Sequence, residues 1–464
     1  GMGNMRQWLM NISLVGGWFP AAAFAVIAVL SVTLLVSAAV SKRDGRILAT
    51  VLPIGVAAVS GMVGYVVAWL LSDVFVVFGV GLGSRVMSWV AAGFAIAGFA
   101  IVHIVLSRGM MRVAAAILTV FAILAAAIGI DQSYGEYATI GSLFGEDSYS
   151  QADLTGLAKR KDLITVAQWR KQAANGTIRN IPANGTVNKI DIPATKSQFE
   201  ARKALVYLPP AALADSKRKP ALPVVLMLSG QPGSPGRVFQ AGGIQTMMDG
   251  YAKTHDGLAP IVIAADQLGA DSHNTLCVDS KVYGNALTYL TQDVVDWVKT
   301  NLPAAQDAKD WAIAGFSQGA TCSLQIGVNH PDLFGTMIPT DSEIKPTNGS
   351  RQEMIDRFFD GDTTAYENQV PVNAIRNHAP THQMLIIGAG EKDTTSIRNV
   401  KTIAPVAAKA GMRVAAVESS GNAHDWHAVQ DVLRYGLAVF GHDTGLDGAN
   451  PNLSDYPNLK RITI

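Results

Sequence analysis

Long uncharged apolar runs dominate the first third of the chain. Residues 11–41 and 47–72 contain no Asp, Glu, Lys or Arg, and each is longer than the roughly 20 residues that cross a bilayer as a helix. The run 86–106 has His103 as its only titratable group, and the run 113–130 is short but sufficient. We therefore predict four membrane-spanning helices, because four such runs with charges only at the joints are not typical of buried soluble helices.

The joints between these runs carry unequal numbers of basic residues. Basic residues stay in cytoplasmic loops, so their distribution predicts the orientation of the spans. They divide between the joints as Lys42, Arg43 and Arg46 in the first, Arg85 in the second, and Arg108 and Arg112 in the third. We therefore predict that everything after residue 130 lies on the extracytoplasmic side of the cell membrane. The first run lacks a small-residue cleavage pattern, which favours a retained helix over a removed signal peptide.

A different pattern begins near residue 186, where short apolar runs alternate with segments of helical spacing such as TYLTQDVVDWVKTNL. The short runs have the composition of strands. They are VNKIDIPAT, ARKALVYLPPA, LPVVLMLSG, APIVIAAD, DWAIAGF, TMIPTD, QMLIIGAG and RVAAVES. Strands that alternate with helices predict a mostly parallel sheet with helices on both faces.

Composition agrees with a membrane protein and narrows the choice of partners. Apolar residues make up 49% of the chain and charged residues 16%, which is apolar for a soluble protein. The 37 basic and 36 acidic residues leave a net charge of +1. Because the chain also has no stripe of basic and aromatic residues, we expect no nucleic-acid partner. The sequence leaves the oligomeric state open.

The cysteines and histidines give no metal-binding pattern. Cys277 and Cys322 form no CxxC motif, and both lie in segments predicted near one end of the sheet. Either one disulfide bond or two buried free thiols fits this arrangement. His378 and His382 come nearest to metal-binding spacing, but Pro380 between them argues against a shared helical face. We predict no bound metal.

The segment AGFSQGATCS contains the clearest chemical motif. Residues 315–319 fit GxSxG, directly after the strand-like run DWAI and before a helical segment. This context is typical of a nucleophile elbow, a tight turn that presents a serine hydroxyl above a parallel sheet. The flanking glycines let the strand and the helix approach where a Cβ atom would collide. Ser317 is therefore the predicted nucleophile.

A serine nucleophile needs a base and an acid that orients the base, and in this fold class the order is serine, acid, histidine. The acid is expected directly after a strand, where MLIIGAGEKDTTS places Glu391 and Asp393. The histidine is expected near the end, where SSGNAHDWHAV places His424 and His427. We predict Asp393 as the acid, with Glu391 as the alternative and Asp341 as a weaker substitute. We predict His424 as the base because the small residues GNA suit a loop that reaches over the sheet.

Acyl transfer also needs donors for the oxyanion of the tetrahedral intermediate. One predicted donor is the backbone N–H of Gln318, directly after the nucleophile. The other is the backbone N–H of Gln231, in the loop SGQPGSPGRV that follows the strand-like run LPVVLMLSG. This loop has neither GK[ST] nor GxGxxG, so we expect no nucleotide and no other cofactor.

Residues 200–440 resemble the esterase family that includes esterase D, the enterochelin esterases and the mycolyltransferases of the antigen 85 complex. The matching segments are GFSQGATCSLQIGVNHPDLF, LSGQPG, GEKD and GNAHDWHAV. The resemblance implies an α/β-hydrolase fold, with Ser317 as nucleophile, His424 as base, and Gln231 and Gln318 as oxyanion donors. Relatives use Asp or Glu as the acid, and Asp393 matches the commoner G-x-x-D form. The chain has Ser229 where many relatives have a histidine or aspartate.

These patterns predict an α/β-hydrolase domain behind an α-helical transmembrane domain of four spans. The predicted parts are a transmembrane domain (1–130), an extracytoplasmic tether (131–185), a catalytic domain (186–445) and a C-terminal tail (446–464). The expected activity is hydrolysis of a lipid or envelope ester through an acyl-enzyme on Ser317. Acyl transfer between envelope lipids or sugars is the alternative, and a non-catalytic membrane scaffold is an alternative of another class.

Overall fold

The computed structural model describes residues 1–75, 82–137, 139–144 and 148–464. The chain forms two compact units, Gly1–Asp147 and Ser148–Ile464.

The first unit consists of helices. They are α1 (Met2–Met10), α2 (Trp18–Ala39), α3 (Arg46–Trp69), α4 (Ser84–Leu106), α5 (Met110–Tyr134) and α6 (Ile140–Leu143). A π-helical turn, Leu70–Val74, extends α3. In the part of the chain that the structure describes, α2, extended α3, α4 and α5 are long and apolar enough to cross a membrane. The four predicted spans are thus confirmed as helices, and their length and composition indicate a membrane protein.

Close helix contacts at small residues hold this unit together. A Cβ atom at Gly98 in α4 would lie 2.4 Å from the Ser60 hydroxyl of α3, and one at Gly129 in α5 would lie 2.0 Å from the Trp89 ring of α4. Small residues allow such approach in membrane helices, where apolar side chains gain nothing by leaving lipid. Large apolar side chains accordingly remain exposed on the outside of the helices, as at Met62.

The second unit is built on a nine-stranded sheet. Its strands are β1 (Thr186–Ile190), β2 (Ala204–Leu208), β3 (Val224–Leu228), β4 (Ile261–Ala264), β5 (Trp311–Phe316), β6 (Thr336–Thr340), β7 (Met384–Gly390), β8 (Arg413–Ser419) and β9 (Leu459–Arg461). The spatial order is β9-β8-β7-β6-β5-β3-β4-β2-β1. Strands β3 to β8 pair in parallel, and β2 runs antiparallel to both β1 and β4.

Helices cover both faces of the sheet. They are α7 (Val166–Ala174), α8 (Pro210–Leu213), α9 (Pro235–Gly242), α10 (Ile244–Lys253), α11 (Ala286–Thr288), α12 (Val295–Asn301), α13 (Gln318–Asn329), α14 (Arg351–Phe358), α15 (Thr363–Glu367), α16 (Pro371–His378), α17 (Thr394–Lys409) and α18 (Trp426–Asp443). A π-helical turn joins α11 to α12. Two-residue strands pair at Leu163–Ile164 with Lys219–Pro220 and at Asp279–Ser280 with Gly284–Asn285.

Alternating side chains of the buried strands form one core on each face. In β3, Leu226 belongs to the core to which α12, α13 and α17 contribute, whereas Val225 and Met227 belong to the core to which α9, α10 and α18 contribute. This alternation follows from the period of two in a strand, and the runs are apolar throughout because both faces are covered. The fold is the α/β-hydrolase fold, as predicted.

The second unit also includes residues on either side of the predicted catalytic domain. In α7, which a capping box of Thr165 and Gln168 begins, the Trp169 side chain is fully buried. At the other end, β9 pairs antiparallel with β8. Residues 138 and 145–147 of the predicted tether lie outside the described residues. The tether and its limits stay a prediction.

Candidate active site

The predicted nucleophile lies at the turn between β5 and α13. Ser317 has φ 57° and ψ −115°, a backbone conformation that is strained for a residue with a side chain. A Cβ atom at Gly315 would lie 2.2 Å from the Gly319 carbonyl oxygen, and one at Gly319 would lie 2.3 Å from the Ser229 carbonyl oxygen. Both glycines of GxSxG are therefore required by the close approach of the turn, the helix and the end of β3.

The loop between β8 and α18 brings His424 to this turn. The Nε2 atom of His424 lies 2.8 Å from Ser317 Oγ. Asp425 caps α18 by accepting the N–H of Ala428, and its other carboxylate oxygen accepts the N–H of Ala423. The His424 ring also lies 5.0 Å from the ring of Phe316. These contacts hold the loop on both sides of the histidine and fix the direction of its ring.

Asp393 lies on the other side of the imidazole. Its Oδ2 atom is 2.7 Å from His424 Nδ1, and its side chain is fully buried. Asp393 also caps α17, where its oxygens accept the backbone N–H of Ser396 at 3.1 Å and the Ser396 hydroxyl at 2.5 Å. Burial alone would raise the pKa of Asp393, but the hydrogen bond and the charge of His424 and the two hydrogen bonds from Ser396 hold this pKa below its usual value. The carboxyl is therefore ionised at neutral pH.

The two other acids considered for this position have different surroundings. Glu391 accepts the backbone N–H of Gly421 at 3.1 Å, so its carboxylate supports the histidine loop. Asp341 follows β6 and is fully buried. One of its carboxylate oxygens lies within 4.8 Å of a carboxylate oxygen of Asp393 and of a ring nitrogen of His424. Burial and the adjacent charge of Asp393 raise the pKa of Asp341 well above its usual value. These effects disfavour the ionised form of Asp341.

One predicted oxyanion donor, Gln318, belongs to the elbow, and the other, Gln231, follows the neighbouring strand β3. Parallel pairing of β3 with β5 places the loop after Leu228 beside Gly315, and Gln231 lies in this loop. The side chain of Gln318 is held away from its own backbone N–H, since its Nε2 donates to Asn274 Oδ1 and its Oε1 accepts from Gln267 Nε2, both at 3.1 Å. Sequence reasoning missed Gln267 and Asn274, because each follows a strand without any recognisable motif.

Comparison with known proteins identifies the family of the chain. The family model described as "Putative esterase" matches residues 196–436, which is more than half of the chain. The chain belongs to this esterase family. An uncharacterized protein of Corynebacterium glutamicum is 32% identical to this chain over 333 residues. The matched region covers 70% of this chain and 74% of the Corynebacterium protein. The resemblance inferred from the motifs is thus confirmed, and the esterase is a serine hydrolase or acyltransferase.

Solved structures resemble the second unit of the esterase at low identity. An S-formylglutathione hydrolase from Agrobacterium tumefaciens is 16% identical and covers 57% of this chain and 98% of its own, with a TM-score of 0.45. MPT51 from Mycobacterium tuberculosis is 15% identical and covers 55% of this chain and 96% of its own, with a TM-score of 0.40.

An ion-pair network that the sequence did not reveal supports the Gln231 loop. Arg202 donates to both oxygens of Asp266 at 3.0 Å and to the Gly233 carbonyl oxygen at 2.9 Å, and it also pairs with Asp271. Although burial opposes the charge, these two carboxylates raise the pKa of Arg202. The guanidinium thus fixes the turn two residues after Gln231. No local pattern marks Arg202, whose partners are distant in sequence.

Another acid near His424, Glu343, was not predicted from the sequence. Glu343 Oε2 accepts the Thr321 hydroxyl at 3.2 Å, and the backbone N–H of Glu343 donates to the same hydroxyl at 3.0 Å. Burial raises the pKa of Glu343 to about 7, against the opposing effects of Thr321 and of His424. This carboxyl therefore changes its charge near neutral pH.

The two cysteines, for which the sequence left two possibilities, form a disulfide bond. Cys322 lies in α13, and Cys277 lies in the loop after β4 that also carries Asn274. The bond therefore ties the helix that begins after the elbow to the loop that holds the Gln318 side chain.

Proposed function

We propose that this esterase is anchored in the cell membrane with its α/β-hydrolase unit on the extracytoplasmic side, and that it cleaves a carboxylic ester of a lipid or cell-envelope component. The observation that carries the proposal is the continuous chain of contacts from Ser317 Oγ through the His424 imidazole to Asp393. Such a chain at the elbow of an esterase family member supports a catalytic triad.

Acylation uses each of these groups in turn. The ionised Asp393 accepts Nδ1–H and so fixes the tautomer in which Nε2 of His424 accepts the Ser317 proton. Ser317 Oγ attacks the ester carbonyl carbon, and the negative charge that develops on the carbonyl oxygen is stabilised by the backbone N–H groups of Gln231 and Gln318. The imidazolium then protonates the leaving alcohol, and an acyl-enzyme remains on Ser317.

Deacylation repeats the same steps with a new nucleophile. Water, or an acceptor hydroxyl in the case of acyl transfer, gives its proton to His424 Nε2 as its oxygen attacks the acyl-enzyme. The tetrahedral intermediate collapses, the proton returns to Ser317 Oγ, and the acid or the new ester leaves.

Two independent features support the extracytoplasmic location. Disulfide bonds persist in oxidising compartments and are rare in the cytoplasm, and Cys277 and Cys322 are bonded. The basic residues of the first and third joints favour a cytoplasmic position for these joints, which puts the end of α5 on the opposite side. Both features support the same proposed side for the α/β-hydrolase unit.

The membrane helices support a lipid or envelope substrate. A catalytic unit attached to a bilayer meets membrane esters at a high effective concentration. Aminoacylated phospholipids and acylated sugars are the substrate types that we propose to test.

The first experiment replaces the nucleophile. We expect Ser317→Ala to lower hydrolysis of short p-nitrophenyl esters by the detergent-purified chain by about 10⁴-fold or more, because no other group on this turn can form the acyl-enzyme. Ser216→Ala is the matched control, since that hydroxyl donates to the nearby Arg218 carbonyl. Unchanged hydrolysis in Ser317→Ala would refute the proposed chemistry.

Product analysis then separates hydrolysis from transfer. If hydrolysis is the reaction, added glycerol or trehalose leaves the yield of free acid unchanged. A new ester that increases with acceptor concentration would assign acyl transfer instead. Absence of any Ser317-dependent turnover would favour the scaffold alternative.

A further inference from the structure

A pocket of about 460 Å³ opens between the membrane helices of the first unit. Its walls come from the end of α2, the start of α3, the end of α4 and the start of α5, together with the two joints between them. It therefore lies at the end of the helix bundle where the first and third joints meet.

Three guanidinium groups line this pocket from two separate joints. Arg43 and Arg46 come from the first joint, and Arg108 comes from the third. The only acidic residue among the lining residues is Asp44, so the formal charge of the lining is two positive with His103 neutral. Among the described residues, none of the three arginines makes an ion pair. A planar guanidinium binds phosphate oxygens through paired hydrogen bonds, and three of them without partners favour an anion.

A buried histidine also lines this pocket. His103 lines it from α4, and its side chain is 3% exposed. Its Nε2 atom is buried and has no hydrogen-bond partner within the described part of the chain. A buried polar atom without a partner costs free energy, so an ionisable residue at this depth in a helix bundle points to a bound polar group. The Ser37, Ser41 and Ser107 side chains add hydroxyl groups to the same lining.

The remaining walls are apolar. They are formed by Leu34, Ala38, Leu48, Ala49, Leu106 and Met111. A pocket that combines guanidinium groups at a joint with apolar helix surface matches an amphiphile, whose phosphate lies at the joint and whose acyl chains follow the helices. A free phosphate ion would leave the apolar wall unused.

We propose that this pocket binds the phosphodiester headgroup of an anionic phospholipid. Arg43, Arg46 and Arg108 contact the phosphate oxygens, and the acyl chains lie against the apolar wall. The bound lipid bridges the α2–α3 joint and the α4–α5 joint, and it thereby fixes the packing of the four helices. This lipid site is separate from the triad and does not depend on the reaction proposed for Ser317.

Native mass spectrometry of the full chain in detergent micelles tests the site. The chain is incubated with equal amounts of dioleoyl-phosphatidylglycerol and dioleoyl-phosphatidylcholine, and the retained lipid is counted. Basic residues near a membrane surface each contribute about a fivefold preference for anionic lipid. We expect wild type to retain phosphatidylglycerol preferentially and Arg46→Gln/Arg108→Gln to lose about tenfold or more of that preference. Arg85→Gln, in the second joint, is the matched control and should retain it.

A variant with the opposite change in charge distinguishes loss of the lipid site from misfolding. Asp44→Asn removes the only lining carboxylate and should increase retention of phosphatidylglycerol, which a misfolded variant would not do. Equal retention of both lipids by wild type, or an equal loss in Arg85→Gln, would overturn the proposal. Displacement of the lipid by equimolar inorganic phosphate would assign the site to free phosphate and overturn the lipid assignment.

Discussion

The carboxylate that touches His424 is distinguished from its neighbours by its hydrogen bonds. Asp393 accepts a hydrogen bond from the imidazole Nδ1 of His424 and two from Ser396. Glu391 instead accepts the backbone N–H of Gly421. Asp341 lies in the same buried group, where burial and the charge of Asp393 raise the pKa of its carboxyl. In the proposed mechanism, the ionised Asp393 orients the imidazole and balances the imidazolium that forms during the reaction.

This difference predicts unequal effects of two isosteric substitutions. Asp393→Asn should lower kcat by about 10⁴-fold, because an amide in this position favours the wrong tautomer of His424. Asparagine is also a good helix cap, so α17 should remain folded. Glu391→Gln, the matched control, should change kcat by only a few-fold. Rates of p-nitrophenyl ester hydrolysis measure both, and an equal loss in Glu391→Gln would contradict the assignment of the acid.

The raised pKa of Glu343 predicts that the free energy of unfolding depends on pH. Its pKa is raised by burial from 4.5 to about 7, so between these values the folded chain binds a proton that the unfolded chain releases. The free energy of unfolding therefore falls as the pH rises through this window. Glu343→Gln removes this contribution, and its Tm relative to wild type should increase from pH 5 to pH 8. Parallel Tm curves for the two proteins would contradict the raised pKa.

The disulfide bond connects two elements, α13 and the loop after β4, and we predict that it stabilises the fold. It closes a sequence separation of 45 residues, for which chain entropy gives about 4 kcal/mol of stability. Cys277→Ser/Cys322→Ser should therefore lower Tm by several degrees in thermal unfolding of the purified chain. Dithiothreitol should lower the Tm of wild type to that of the variant and leave the variant unchanged. An unaffected wild type would show that the bond does not contribute.

Elements with strong local patterns could be predicted from the sequence. The four apolar helices and the buried strands have composition and period that few other structures tolerate, and the GxSxG turn requires glycines at fixed spacing. The order of the chain then identified Ser317, Asp393 and His424, which the structure brings together. The catalytic roles of these residues and of the oxyanion donors Gln231 and Gln318 stay predictions.

Features that depend on distant partners could not be predicted in this way. Arg202 contacts Gly233 and Asp266 across separate loops, and Glu343 is positioned by Thr321 of α13. Neither residue lies in a motif, because the contact that gives it a role forms only after the sheet has assembled. The packing of α7 and β9 on the second unit likewise results from tertiary contacts and not from local propensity.

At the scale of the whole molecule, a four-helix membrane unit is joined to an α/β-hydrolase unit in one chain. In the first unit, the helices pack through close contacts at small residues and through one apolar cluster. In the second unit, two apolar cores cover the faces of the sheet. We propose that the chain combines membrane attachment with esterase chemistry, and the central claim of this proposal is that the activated serine faces the extracytoplasmic side.

A membrane-impermeant fluorophosphonate probe tests this claim most directly. Intact cells that express wild type or Ser317→Ala are labelled, and the same cells are labelled again after lysis. We predict that wild type is labelled in intact cells and that Ser317→Ala is not, because an activated serine on the outer side reacts without membrane passage. Labelling of wild type only after lysis would contradict the orientation, and absence of labelling in both samples would contradict the activated serine.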